Sequence, residues 1–119
     1  PLNVSRKTGL TRQWYEAIVE RDTPITRLAR QRLGPRYAAN PDRSDLMYDQ
    51  VAVASLIDPT LVTTQEMFVD VDALHGINYG VSVGSDEPWP GAEGAPRVQV
   101  QYDLDWDRFI RMFVERVSR

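Results

Sequence analysis

Three aspartates, Asp42, Asp45 and Asp49, stand at intervals of three and four residues, beside Asn40. On a helical entrance that spacing brings carboxylates to one face. Hard oxygen donors grouped in this way suit Ca²⁺, Mg²⁺ or Mn²⁺. The plainer alternative is that Asp45 caps a helix, where acids are favoured, Asp42 is solvated and Asp49 is only a leftover ligand. A second acidic run, Asp103, Asp105 and Asp107, has the spacing that opens an EF-hand loop. Its sixth position is Arg108 where glycine is required and its twelfth is Val114 where glutamate is required. A strand end followed by an aspartate helix cap explains this run better. His75, the single histidine, lies beside Gly76 in an expected turn, as a candidate general base or ligand-binding residue or simply an exposed side chain. Trp89, Tyr79 and Tyr102 are candidates for stacking on a flat ligand such as a purine, or for packing. No serine has a Gly-x-Ser-x-Gly setting, Ser82 and Ser85 included. With no cysteine and one histidine, thiolate catalysis and disulfides are excluded and zinc would find few of its usual ligands.

The elements that must position these residues follow from periodicity. Leu2 to Val4 reads as extended. Thr11 is placed to cap a helix with the inward stripe Trp14, Ala17 and Ile18. Thr23-Pro24 starts a second helix, with the stripe Ile25, Leu28, Ala29 and Leu33, and Gly34-Pro35 is expected to end it. Arg36 to Ser44 reads as a loop. Asp45 is expected to cap a third helix from about Leu46 to Ile57, whose Val51–Ile57 run is apolar nearly all round and so expected to be buried on several sides. Asp58-Pro59 stops it. Three β-type runs follow, at 67–71, 77–83 and 98–102, with a Gly- and Pro-rich loop from Gly84 to Pro96. Asp105 caps a closing helix with the stripe Trp106, Phe109, Ile110, Phe113 and Val117. Helices, then antiparallel-type strands, then a helix make the fold class α+β, with a small sheet of about three strands.

Size and composition narrow the functional classes. At 119 residues the chain is a single domain's worth, taken as one domain over 1–119. Its 42 % apolar and 26 % charged residues are ordinary for a soluble domain. Fourteen basic residues against seventeen acidic ones give a net charge of −3, so nucleic acid is not an expected partner. No apolar run approaches the roughly 20 residues that cross a bilayer, and no cationic-then-apolar start is present. A cytoplasmic location without membrane contact is the expectation.

The stretch Tyr48-Asp49-Gln50-Val51-Ala52-Val53-Ala54-Ser55-Leu56-Ile57-Asp58-Pro59 resembles a signature of the nucleoside hydrolases, in which His-Asp-Pro leads into a small-apolar helix and an Ile-Asp-Pro stop. The resemblance continues through Thr63-Thr64, the strand from Met67 to Asp72 and Gly80-Val81-Ser82-Val83. It ends in the Val-x-Val strand, the aspartate cap and the Phe-rich terminal helix. Upstream, Pro1-Leu2-Asn3-Val4-Ser5 is similar to a Leu-Asp-Val-Thr strand of the family, and Leu10-Thr11 to its Leu-Thr helix start. Each motif alone is weak, whereas their shared order and spacing along the chain form a strong signal.

The resemblance implies a calcium ion held by several aspartates, a water that it orients towards the anomeric carbon of a ribonucleoside, and a histidine that helps the base to leave. Most of those ligands come from an N-terminal Asp-x-Asp-x-x-x-Asp-Asp loop, a run this sequence does not contain. Asp49 stands at the one C-terminal calcium ligand, and Tyr48 where many members carry the leaving-group histidine. A phenol with a pKa of about 10 is a poor proton donor beside imidazole. One carboxylate cannot fill the 6–8 oxygen positions that calcium takes.

The chain is therefore expected to be the C-terminal part of a nucleoside-hydrolase α/β fold without the Asp-rich catalytic half. It is expected not to cleave nucleosides by itself, and to cover its apolar helix by forming a homodimer or higher oligomer. The rival expectation is a metal-dependent hydrolase of phosphoesters or related esters. Its site at a dimer cleft would hold a divalent metal on Asp42, Asp45 and Asp49, with Tyr48 donating a hydrogen bond to developing charge. Its small-molecule substrate is undefined, and no organic cofactor is expected. A non-catalytic interaction module is the third reading.

Overall fold

The computed structural model describes residues 2–91 and 94–119; Pro1 and two residues of the expected Gly84–Pro96 loop lie outside the described residues. The architecture is α+β. In chain order it runs α1 (Leu2–Ser5), β1 (Leu10–Thr11), α2 (Arg12–Ile18), α3 (Pro24–Ala39), β2 (Ser44–Asp45), α4 (Asp49–Ile57), a 3-10 turn (Pro59–Leu61), β3 (Val62–Val71), β4 (Ser82–Ser85), β5 (Arg97–Leu104) and α5 (Trp106–Val117). The strands form two antiparallel sheets, a short β1–β2 pair and a three-stranded sheet in the order β4-β3-β5.

Several boundaries differ from expectation, each for a tertiary reason. Leu2 to Ser5 is one helical turn rather than extended chain. Val4 is buried in the core, Thr8 Oγ1 donates to Ser5 O at 2.6 Å, and Asn3 Nδ2 donates to Tyr102 O on β5. The second helix does not stop at Gly34-Pro35 but runs on to Ala39. Proline forfeits one backbone donor there. The turn beyond it is held by Tyr37, which stacks on Tyr15 with ring centroids 5.0 Å apart and whose buried hydroxyl donates to Leu10 O. Burial raises the Tyr37 phenol above its ordinary pKa. The start of that helix follows the expected chemistry: Thr23 Oγ1 accepts from Thr26 N–H, and Thr26 Oγ1 accepts from Thr23 N–H at 2.9 Å. Of its anticipated stripe, Ile25 and Leu28 lie exposed, and the helix buries Thr26 and Tyr37 instead.

Asp45 does not cap the third helix. It lies in β2, paired with Leu10, and the helix begins only at Asp49. Gly9, just before this pairing, lets Ser44 approach closely: a Cβ there would stand 2.3 Å from Ser44 Oγ, which would have to rotate away. Thr11 occupies the cap position of α2, but its side chain makes no capping hydrogen bond.

The core gathers Val4, Leu10, Ile18, Met47, Val51, Ala54, Leu61, Leu104, Phe109 and Ile110 from the helices, β1 and the root of the large sheet. The root is fastened by Gln101 Nε2 donating to Ser55 Oγ at 2.8 Å and by Asp105 N–H donating to Leu61 O at 2.8 Å. Away from that root the sheet projects as a wing. A ten-residue strand such as β3 spans about 33 Å, and the molecule measures 55 × 32 × 23 Å. Its radius of gyration is 18.2 Å, against about 13.5 Å for a compact chain of this length. The run expected as a strand from Ile77 contributes only Ser82 and Val83 to β4; its earlier residues form the turn, with Gly80 at a positive φ of 82°.

Candidate functional site

The segment that carries the resemblance, Tyr48 to Pro59, forms α4 and its stop. Tyr48 occupies the cap position without a side-chain capping bond and is half exposed. Asp49 is the acidic residue of the first turn, where its charge meets the positive end of the helix dipole. Asp58 ends the helix and caps the 3-10 turn, with Oδ1 accepting from Thr60 N–H at 3.1 Å and Thr60 Oγ1 at 2.6 Å, while Arg108 of α5 binds its other oxygen. These bonds, Thr60's first and then Arg108's charge, hold the Asp58 carboxyl below its usual pKa.

Arg108 thus fixes the start of α5 beside the end of α4, and the two helices run antiparallel. Between them lies a cavity of about 330 Å³ lined by Asp49, Gln50, Val53, Ala54 and Ile57 from α4 and by Phe109, Met112, Phe113 and Arg116 from α5. Its walls are apolar, and its two charges sit at the end where α4 starts and α5 finishes. Among the described residues neither Asp49 nor Arg116 has an ion-pair partner.

The three aspartates are not brought to one helical face. Asp45 is held by Arg43, whose Nε reaches Oδ2 at 2.8 Å and whose Nη2 binds Oδ1, so both carboxylate oxygens face one guanidinium. That bond lowers the Asp45 pKa and raises that of Arg43. Asp45 lines a neighbouring cavity of about 390 Å³ with Leu10, Ile18, Met47 and Val117. Asp42 is exposed in the turn after α3, with its N–H on Asn40 Oδ1 at 3.2 Å. Among the described residues no three His, Cys, Asp or Glu side chains stand together as a metal site. The donors present do not fit a calcium cage, which takes 6–8 oxygens.

The ligand-stacking candidates belong to the wing. His75 and Tyr79 stack with ring centroids 4.6 Å apart in the exposed turn between β3 and β4. Trp89 is half-buried in a separate depression with Asp70, Asp72, Leu74 and Val83. Tyr102 lies half exposed on β5. The acidic run near the C-terminus behaves as expected. Asp103, next to last in β5, pairs with Lys7 at 2.6 Å, Asp105 Oδ1 caps α5 by accepting from Arg108 N–H at 3.1 Å, and Asp107 lies in the first turn.

Expectation also placed the Val51–Ile57 helix in the interior on several sides. One side is buried, through Val51, Ala54 and Ser55. Val53 is 56 % exposed, Ile57 51 % and Leu56 84 %. Gln50 and Phe113 line both cavities; the sequence points to Phe113 only as part of the α5 stripe and does not single out Gln50 or Arg116 as site residues. Arg116 is seven residues beyond Phe109, so the amphipathic period of the last helix already places it at the end of the apolar stripe. Among the described residues no helix is long and apolar enough to cross a membrane.

No family model matches the chain. An inosine-uridine preferring nucleoside hydrolase from Leishmania major is 31 % identical over 83 residues, which are 70 % of this chain and 26 % of that protein. A plant nucleoside hydrolase superposes with a TM-score of 0.78 at 20 % identity, over 98 % of this chain and 39 % of its own. A purine-preferring ribonucleoside hydrolase from Gardnerella vaginalis gives 0.75 at 25 % identity, over 98 % and 38 %. The chain therefore spans about a quarter of the curated relative and under two-fifths of these solved structures.

Proposed function

Because this chain is nucleoside-hydrolase-like in sequence and in fold, we propose that it is a self-associating relative of those enzymes that does not cleave nucleosides by itself. The observation that carries this reading is α4. The helix with the family-like sequence offers one exposed carboxylate, Asp49, at its first turn and an uncovered apolar face beyond it. A single carboxylate leaves most positions around a calcium ion unfilled. Tyr48 puts a phenol where many members of the family carry the leaving-group histidine. The exposed Val53, Leu56 and Ile57 form the kind of apolar surface that soluble proteins cover by association.

The metal-dependent hydrolase reading is less well supported. It needs Asp42 and Asp45 beside Asp49, and Asp45 already has both oxygens on Arg43. Purified protein incubated with inosine or uridine in the presence of calcium should release no free base above the uncatalysed rate. Calcium-dependent release that disappears in Asp49→Ala would overturn the proposal.

A further inference from the structure

Resting on the self-association reading, we infer that two copies meet through the α4–α5 groove about a two-fold axis running along the helices, so that Asp49 of each copy faces Arg116 of the other. The groove has the requirements of such a contact. Its floor is apolar, with Val53, Ile57, Met112 and Phe113, and its charges are one of each sign at the same end. An axis along antiparallel helices turns α4 of one copy onto α5 of the next and keeps like ends together. Asp49 then meets Arg116 twice, as an isologous contact demands. An axis across the helices would instead set α4 on α4 and α5 on α5, with Asp49 of each copy towards the Asp58 end of the other's α4 and Arg116 towards Arg108 at the start of the other's α5. Setting like charges opposite one another is unfavourable. Charge complementarity therefore selects the first arrangement.

The area suffices. The chain exposes 8261 Å², roughly 1,700 Å² more than the roughly 6,600 Å² usual for a folded monomer of this mass. A standard dimer interface takes about 800 Å² from each partner. Val53, Leu56 and Ile57 of α4 belong to that exposed surface.

The test is sedimentation velocity of the whole chain as wild type, Asp49→Arg, Arg116→Asp, the doubly swapped variant and an equimolar mixture of the two single variants. Each single variant sets like charges against each other in a homodimer and should weaken dimerisation at least about tenfold. The mixture and the double swap restore opposite charges, so both should recover the dimer. Because the chain has no cysteine, a second readout is clean: Asp49→Cys mixed with Arg116→Cys should cross-link into a disulfide dimer under mild oxidation, and Asp49→Cys mixed with wild type should not. A wild-type dimer that both single variants reproduce, with no cross-linking, would overturn this interface while leaving self-association standing. A monomeric wild type would overturn both and leave the groove to a small apolar ligand or a different protein.

Discussion

Leu56→Ala separates what α4 does within one chain from what it does between chains. Leu56 is 84 % exposed, so truncation removes almost no burial from a single folded copy, and alanine keeps the helix propensity high. Surface substitutions of this kind change monomer stability by less than about 0.5 kcal/mol. Leu56 lies seven residues from Asp49, on the stripe of α4 that rims the groove. If a second copy covers it, each leucine recovers about 1.5 kcal/mol or more of burial that alanine forgoes, about 3 kcal/mol over the two equivalent positions. That amounts to a rise in the dimer dissociation constant of roughly 100-fold. Sedimentation equilibrium over a wide concentration range measures the constant. Urea unfolding well below it isolates the monomer, since association makes apparent stability depend on concentration. An unchanged dissociation constant would refute the reasoning, as would a monomer stability loss above 1 kcal/mol, which would mean that α4 is packed differently.

Phe109→Ala acts inside the chain instead. Phe109 is fully buried between Trp106 and Phe113, and its loss should cost about 3–5 kcal/mol in urea unfolding, near the lower figure because the void opens into the groove. The Arg43 bond that depresses the Asp45 pKa makes a pH prediction. A carboxyl ionised more readily in the folded state contributes stability above its unfolded pKa near 3.8, lost as pH falls below that value through the folded pKa. Thermal midpoints measured from pH 6 to pH 2.5 should fall less steeply below pH 4 in Asp45→Asn than in the wild type.

Much of the fold was legible because local chemistry agrees with tertiary structure at those places. Thr23-Pro24, Asp58-Pro59 and Asp105 mark element ends by capping and proline geometry, and the Phe109-Ile110-Phe113 stripe points α5 into the core. The misreadings fall where distant contacts override local signals. Pro35 remains inside a helix because Tyr37 is anchored on Leu10 and Tyr15, twenty-seven and twenty-two residues away in sequence. Asp45, a good cap by residue type, is drawn into a strand pair by Leu10 and into an ion pair by Arg43. The candidate site was legible to the same extent. Tyr48 and Asp49 stand at the start of α4, whereas the helical grouping of Asp42 with Asp45 assumed a helix that starts three residues too early.

The central claim is that a chain with the exposed face of α4 does not remain single. Light scattering coupled to gel filtration at micromolar concentration measures this most directly. The account predicts a mass of at least twice the 13.6 kDa of one chain, and a clean peak at the mass of one chain would contradict it.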